Sequence, residues 1–357
     1  MNNGLIKRIV MQPTSLCNLD CAYCYLAHRK ENQKMSLAVS EAVVKSIKDE
    51  ERVAITWHGG EPLSCGIEHF RNLLNPFESL RTAGHVAHSI QTNATLINDE
   101  WCGLFKDQLI HVSISIDGPP WANQKRVNWG SKESYSHTMC GVDFLKKHDI
   151  PFAVICVVGE WSLMRARELY EFFCNLGCFE VGFNIEEKAG THDSSAPDNG
   201  ELVKKFWEEL FVIWRGNPKI SIREFSRVLT WMETVSESEQ QVAHHQDLFP
   251  SVAHDGTVVL LSPELLDARS EHYNNFAAGN ILRKSLGSIL VDGEGLEYVS
   301  DFRKGVEKCA QVCEYSEYCM GGQASNKFFE LGSTNGTETI YCRNVEQRLI
   351  DAVLSVV

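Results

Sequence analysis

The sequence predicts an α/β protein: a partial (β/α)6 TIM-type barrel over residues 1–230, followed by a second region over 231–357. Three observations predict it. Six short runs rich in β-branched residues (KRIVMQP, VAITWHGG, HVAHSIQT, IHVSISIDG, FAVICVVGE and FEVGFNIEE) read as strands of a parallel sheet covered on both faces. Helix-like stretches beginning near Ser36, Ile67, Asn98, Ser134, Ser162 and Asn199 alternate with them, which is the βα repeat of a barrel. After about Arg223 the repeat stops. A helix-like REFSRVLTWMETV runs into the polar stretch SESEQQVAHHQD, then a strand signal GTVVLLS, then a tail dense in Gly, Cys and Tyr with little periodicity.

In such a barrel, ligands gather where the strands end. The first strand runs into LCNLDCAYCYL, in which Cys17, Cys21 and Cys24 are spaced CxxxCxxC. Three thiolates on one loop can hold three corners of a cubane iron–sulfur cluster and leave the fourth iron open to chemistry. Structural zinc would want four soft ligands, and no fourth Cys or His lies near the loop before His28. The second strand ends in His58-Gly59-Gly60-Glu61-Pro62. Its glycines let the backbone approach a ligand, Glu61 can accept from an ammonium group, and Pro62 fixes the exit, although an ordinary turn reads the same way. The third strand ends in Gln91-Thr92-Asn93 and the fourth in Ser115-Ile116-Asp117-Gly118-Pro119, polar groups that either bind a substrate or cap the strands. The sixth ends in Glu186 and Glu187. In the helix after it, Leu202, Phe206, Leu210, Ile213 and Trp214 recur at helical spacing.

Composition narrows the function. The chain has 357 residues, 43% of them apolar, enough for a barrel-sized core and a smaller region. Thirteen cysteines occur without an N-terminal signal-peptide pattern, and no run approaches the ~18 apolar residues that cross a bilayer. The expectation is a soluble cytoplasmic protein without a membrane partner, whose clustered thiols are metal ligands rather than disulfides. A net charge of −13 disfavours nucleic-acid binding. Cys65, Cys102, Cys140, Cys156, Cys174 and Cys178 are scattered and read as buried structural thiols. His244 and His245 read as exposed, and His58 as a packing or hydrogen-bonding residue.

CxxxCxxC with Tyr23 just before its third cysteine, GGEP, QTN and SIDGP together resemble the radical S-adenosylmethionine superfamily, from about Arg8 to about Ile185. The resemblance implies a [4Fe–4S] cluster on Cys17, Cys21 and Cys24 whose fourth iron is chelated by S-adenosylmethionine. It implies Gly59, Gly60 and Glu61 at the methionine ammonium, Tyr23 near the adenine, and Gln91, Asn93 and Ser115 near the ribose and methionine. Arg126 falls where relatives keep an arginine for the carboxylate, but the usual HDxxR reads ANQKR here, shifted by one residue. The reaction so implied is homolysis of the sulfonium, driven by a one-electron reductant such as a flavodoxin or ferredoxin, to a radical that takes hydrogen from carbon.

Cys309, Cys313, Cys319 and Cys342 form a second set that, by spacing alone, suits a closed zinc site or a closed iron–sulfur cluster equally. The tail resembles the SPASM-type extension of radical enzymes that modify peptides, which implies an auxiliary [4Fe–4S] cluster and two clusters in all. SPELL, GNI, GGQASNK and ETIYCR are similar to cyclophane-forming maturases of the Xye and Grr type. The expected activity is therefore Cβ hydrogen abstraction on a ribosomal precursor peptide and C–C crosslinking to an aromatic side chain, with Asp117, Glu186 and Glu187 as candidate bases. The alternative is an anaerobic sulfatase-maturating type that oxidises Cys or Ser to formylglycine; the resemblance implies that this subgroup keeps further cysteines in the strand region just after Asp255-Gly256, which here reads VVLLSPELLDARSEHYNNFAAGNI and has none. Only 16 residues precede Cys17, so a precursor leader is expected to bind the barrel or tail directly, or to be gripped by another protein.

Overall fold

A computed structural model describes residues 6–48, 51–192, 200–237 and 248–356. Its backbone is one ten-stranded sheet: β1 (Arg8–Met11), β2 (Val53–Trp57), β3 (Val86–Thr92), β4 (His111–Ser115), β5 (Phe152–Val158), β6 (Glu180–Ile185), β7 (Ser221–Ile222), β8 (Pro250–Val252), β9 (Thr257–Leu260) and β10 (Gly279–Asn280). The order is β10-β9-β8-β1-β2-β3-β4-β5-β6-β7. β1 to β7 pair in parallel as successive neighbours, as a βα series dictates. All six sequence-predicted strands are present.

The strands alternate rather than being buried throughout. In β5, Phe152, Val154, Cys156 and Val158 are buried under the helices, whereas Ile155 and Val157 turn to a cavity on the other face. The two-residue side-chain period puts Gln91, Ser115 and Asn184 on that same inner face. Helices cover the outer face through apolar stripes: Phe70, Leu73 and Leu74 in the helix Ile67–Leu74, and Leu169, Tyr170, Phe173 and Leu176 in Ala166–Leu176. In the helix Gly200–Gly216 the buried stripe is Val203, Phe206, Trp207, Leu210 and Phe211; Leu202, Ile213 and Trp214 lie half-buried at its margin. Phe206 and Phe183 stack edge to face at 6.0 Å, seating this helix on β6.

The region after the barrel differs from its sequence reading. The division at 230/231 cuts the helix Arg223–Glu237, and most of the polar stretch, with His244 and His245, lies outside the described residues. β8 then returns to pair in parallel with β1, so the C-terminal region joins the barrel sheet at its open edge. The tail that lacked obvious periodicity is largely helical: Leu286–Gly293, Glu297–Val312, Ser316–Cys319, Ala324–Leu331, a π-helical turn at Cys342–Gln347, and Arg348–Leu354. In Glu297–Val312 the buried Tyr298, Val299, Phe302, Val306 and Cys309 do follow the helical period. Among the described residues no helix is long and apolar enough to cross a membrane.

Candidate functional site

The loop between β1 and the next helix carries Cys17, Cys21 and Cys24, and its backbone is tied on every side. Cys17 N–H donates to Arg29 O at 2.8 Å, Asp20 N–H to Val127 O at 2.7 Å and Ala22 N–H to Lys125 O at 2.9 Å. Trp129 Nε1 donates to Cys17 O at 2.8 Å, and Arg29 pairs with Asp20 at 2.7 Å. The three thiols line one cavity of about 280 Å³ at the C-terminal ends of the strands. Burial pushes all three up from the ordinary thiol range.

The GGEP turn supports that loop. Gly60 sits at φ +62° with Leu16, Thr14 and Ser15 carbonyls 2.6, 2.7 and 2.8 Å from where a Cβ would stand, so only glycine lets the turn lie beneath the cysteine loop. Gly59, at φ +94°, packs on Gln12 and does not line the cavity; its service is to the turn. The buried Glu61 carboxylate accepts from Asn93 N–H at 2.7 Å, Thr92 Oγ1 at 2.6 Å and Leu63 N–H at 3.1 Å. Its side chain thus joins the turn after β2 to the end of β3, in addition to facing the cavity. Asn93 Nδ2 continues the chain by donating to Asn18 Oδ1 at 2.8 Å, one residue beyond Cys17. Gln91 Nε2 donates to Ser115 Oγ at 2.8 Å, bringing those two predicted residues together on the inner face.

Tyr23 bridges two more. Its hydroxyl donates to Asp117 Oδ2 at 2.7 Å and accepts from Arg126 Nη1 at 2.6 Å, while Arg126 lies 3.8 Å from Asp117 Oδ1. Asp117 also accepts from Val157 N–H at 3.1 Å. Asp117 therefore serves as the buried counter-charge of Arg126 and does not line the cavity, contrary to its expected candidacy as a base. Glu186 lines the cavity, but Lys125 Nζ holds both its oxygens at 2.6 Å and His192 lies at 3.2 Å.

Glu187 is the carboxyl left available. Burial, with Glu264 beside it, pushes it up to about 8, and Asn326 Nδ2 donates to it. Glu264, a residue of the SPELL motif to which the sequence assigned no role, reaches the same cavity from beyond β9. His58 accepts from or donates to Tyr25 Oη at 3.0 Å, and burial holds its imidazole below the usual range. His58 is thus the hydrogen-bonding residue expected, although it lines the cavity. Of the six scattered cysteines, Cys65, Cys102, Cys156 and Cys178 are buried and Cys174 is half-buried; Cys140 is exposed, because it lies on the outer side of its helix.

This geometry can be set against known proteins. A family model for the radical SAM superfamily matches residues 11–179. The uncharacterized protein sll1766 of Synechocystis sp. is 35% identical over 99% of this chain and 92% of its own length. The chain belongs to the radical SAM superfamily. The cysteine-type anaerobic sulfatase-maturating enzyme of Clostridium perfringens is 24% identical over 89% of this chain and 88% of its own. The structure of anSMEcpe with bound AdoMet and the Cp18Cys peptide shares the fold with a TM-score of 0.76 and 23% identity, covering 98% of this chain and 96% of that one. Streptococcus suis SuiB bound to its precursor peptide SuiA gives 0.68 and 17%, covering 95% and 76%.

A radical SAM enzyme needs a [4Fe–4S] cluster and S-adenosylmethionine, and the residues present fit both. Among the described residues no three His, Cys, Asp or Glu side chains converge on a single-ion site; the thiols of Cys17, Cys21 and Cys24 instead ring an open cavity. Arg126 lines it with a buried Nε that has no hydrogen-bond partner among the described residues, a donor suited to a carboxylate. Tyr23, Gly60, Glu61, Gln91, Asn93 and Ser115 also line it. A second cavity, about 450 Å³, is lined by Cys309, Cys313, Cys319 and Cys342, so the fold gathers the four distant thiols at one place. Lys327, also unassigned by the sequence, lines it too.

Proposed function

We propose that this enzyme oxidises a side chain of a ribosomal precursor peptide, removing a Cβ hydrogen and joining that carbon to an aromatic ring of the same peptide. The observation that carries the reading is a single cavity: Cys17, Cys21 and Cys24 stand at one part of its wall and Glu187 and Glu264 at another. Cluster and S-adenosylmethionine, when bound, supply a carbon radical able to take hydrogen from an unactivated C–H bond. Gly60, Gln91, Asn93, Ser115, Tyr23 and Arg126 would hold and orient the methionine and adenosyl portions against the thiols.

Closing a ring by this route removes one hydrogen atom, one proton and one electron. Glu187 is the group we assign to the proton. Its raised affinity for a proton makes it a stronger base than an ordinary carboxylate, and the hydrogen bond from Asn326 orients it. Cys309, Cys313, Cys319 and Cys342 would hold one auxiliary cluster, a sink for the electron. SuiB bound to a precursor peptide and anSMEcpe bound to a peptide support a peptide substrate.

A second reading is oxidation of a Cys or Ser to formylglycine on a sulfatase, and the sulfatase-maturating relatives favour it. It requires the same hydrogen atom, proton and electron to leave, so the cavity serves either outcome. Co-expression with a short precursor peptide encoded beside the gene, and separately with a sulfatase peptide, followed by tandem mass analysis, separates them. Loss of two hydrogens shared between an aliphatic and an aromatic residue supports crosslinking. An aldehyde at one Cys or Ser of the sulfatase peptide, with the precursor untouched, overturns it in favour of the second reading.

A further inference from the structure

Lys327 is an anomaly in the C-terminal region. It is 2% exposed, on the helix Ala324–Leu331, and lysine is almost never buried to this degree without a partner. Among the described residues no carboxylate pairs with it. Its Nζ lies 3.9 Å from Cys309 Sγ and 5.3 Å from the centre of the Phe302 ring, and it faces the cavity that Cys309, Cys313, Cys319 and Cys342 also line. A buried ammonium carries a desolvation penalty of several kcal/mol unless negative charge meets it. Glu314 and Glu338 also line this cavity, but among the described residues neither pairs with Lys327, and the group its Nζ meets is the Cys309 thiol.

We infer that Lys327 is a charge partner built into the auxiliary cluster site, and that it raises the reduction potential of the cluster held there. The inference rests on the proposal that the four cysteines hold a [4Fe–4S] cluster. Such a cluster carries net negative charge with its thiolates and becomes more negative on reduction. A fixed positive charge and an N–H donor at a ligating sulfur therefore favour the reduced form, as charge and hydrogen bonds to the sulfurs do in iron–sulfur proteins generally. Lys327 touches no part of the radical-generating cavity, so it acts on the reaction only through the cluster.

The test uses the full-length chain carrying Cys17→Ala, Cys21→Ala and Cys24→Ala, reconstituted anaerobically, so that only the tail site reports. Iron, sulfide and zinc are counted, and the cluster is titrated potentiometrically by electron paramagnetic resonance. Lys327→Met is expected to keep its iron and shift the midpoint to more negative potential, with Lys327→Arg restoring most of the shift. An unchanged midpoint in Lys327→Met at equal iron content overturns the inference. Should Lys327→Met lose its iron, Lys327→Gln is read instead: a negative shift supports the inference and an unchanged midpoint overturns it. A parent chain that holds zinc, or no four-iron cluster, overturns the auxiliary-cluster reading itself.

Discussion

The carboxylate of Glu61 accepts a hydrogen bond from the backbone N–H of Asn93 at 2.7 Å, tying the turn after β2 to the end of β3. Asn93 in turn holds Asn18 on the cysteine loop, so three segments far apart in sequence are fixed to one another at the wall of the cavity that Cys17, Cys21 and Cys24 line. A rigid frame of this kind sets the geometry of the thiols before any ligand arrives.

Glu61→Ala strands the N–H groups of Asn93 and Leu63 and the hydroxyl of Thr92 in a buried setting. Unsatisfied buried donors cost about 1–3 kcal/mol each, so with three of them a loss of roughly 3–9 kcal/mol in unfolding free energy is expected. Urea denaturation of the unloaded chain measures it, and Glu61→Gln, which keeps an acceptor, should lose less.

Gly60→Ala places a methyl group within 2.6–2.8 Å of three loop carbonyls at a left-handed φ. The cysteine loop must move, while the rest of the sheet need not. Circular dichroism close to that of the parent, with iron incorporation at Cys17, Cys21 and Cys24 reduced at least several-fold, is the expected pair of results.

Asp117→Asn removes the buried counter-charge of Arg126 and leaves the Tyr23 hydroxyl as the guanidinium's hydrogen-bond partner among the described residues. Breaking one partner of a buried ion pair costs about 3–5 kcal/mol. Arg126→Met breaks the same pair from the other side, so a similar stability loss is expected together with weaker S-adenosylmethionine binding, read by calorimetry on the cluster-loaded protein.

Glu187 binds its proton more tightly in the folded chain, at about 8 against 4.5, because burial penalises its charge. Its contribution to stability is therefore largest below about pH 4.5 and is lost as pH rises to about 8, and Glu187→Gln should flatten that part of the stability profile. As a base it must be ionised, so peptide oxidation should rise with pH through about 8 in the parent enzyme and lose that limb in the variant.

Much of the site was legible before the fold. Cys17, Cys21, Cys24, Gln91 and Ser115 sit on short local motifs at strand ends, and a parallel sheet must bring such ends to one face. What the sequence withheld depends on tertiary return. Glu264 reaches the cavity only because β8 doubles back beside β1, and no periodicity in the chain announces that pairing. Lys327 reads as an ordinary helix residue until its neighbours are known. Asp117 and Glu186 read as candidate bases, since Arg126 and Lys125, which neutralise them, lie on the irregular segment after β4. The helical tail was missed because, Glu297–Val312 aside, its helices are short and broken by Gly and Cys turns.

The measurement that tests the account most directly is anaerobic formation of 5′-deoxyadenosine from S-adenosylmethionine by the reconstituted, dithionite-reduced protein. The parent chain should form it, Cys17→Ala, Cys21→Ala or Cys24→Ala should abolish it, and Cys309→Ala should retain it. A parent chain that holds iron and S-adenosylmethionine yet releases none, or undiminished release from Cys17→Ala, would contradict the account.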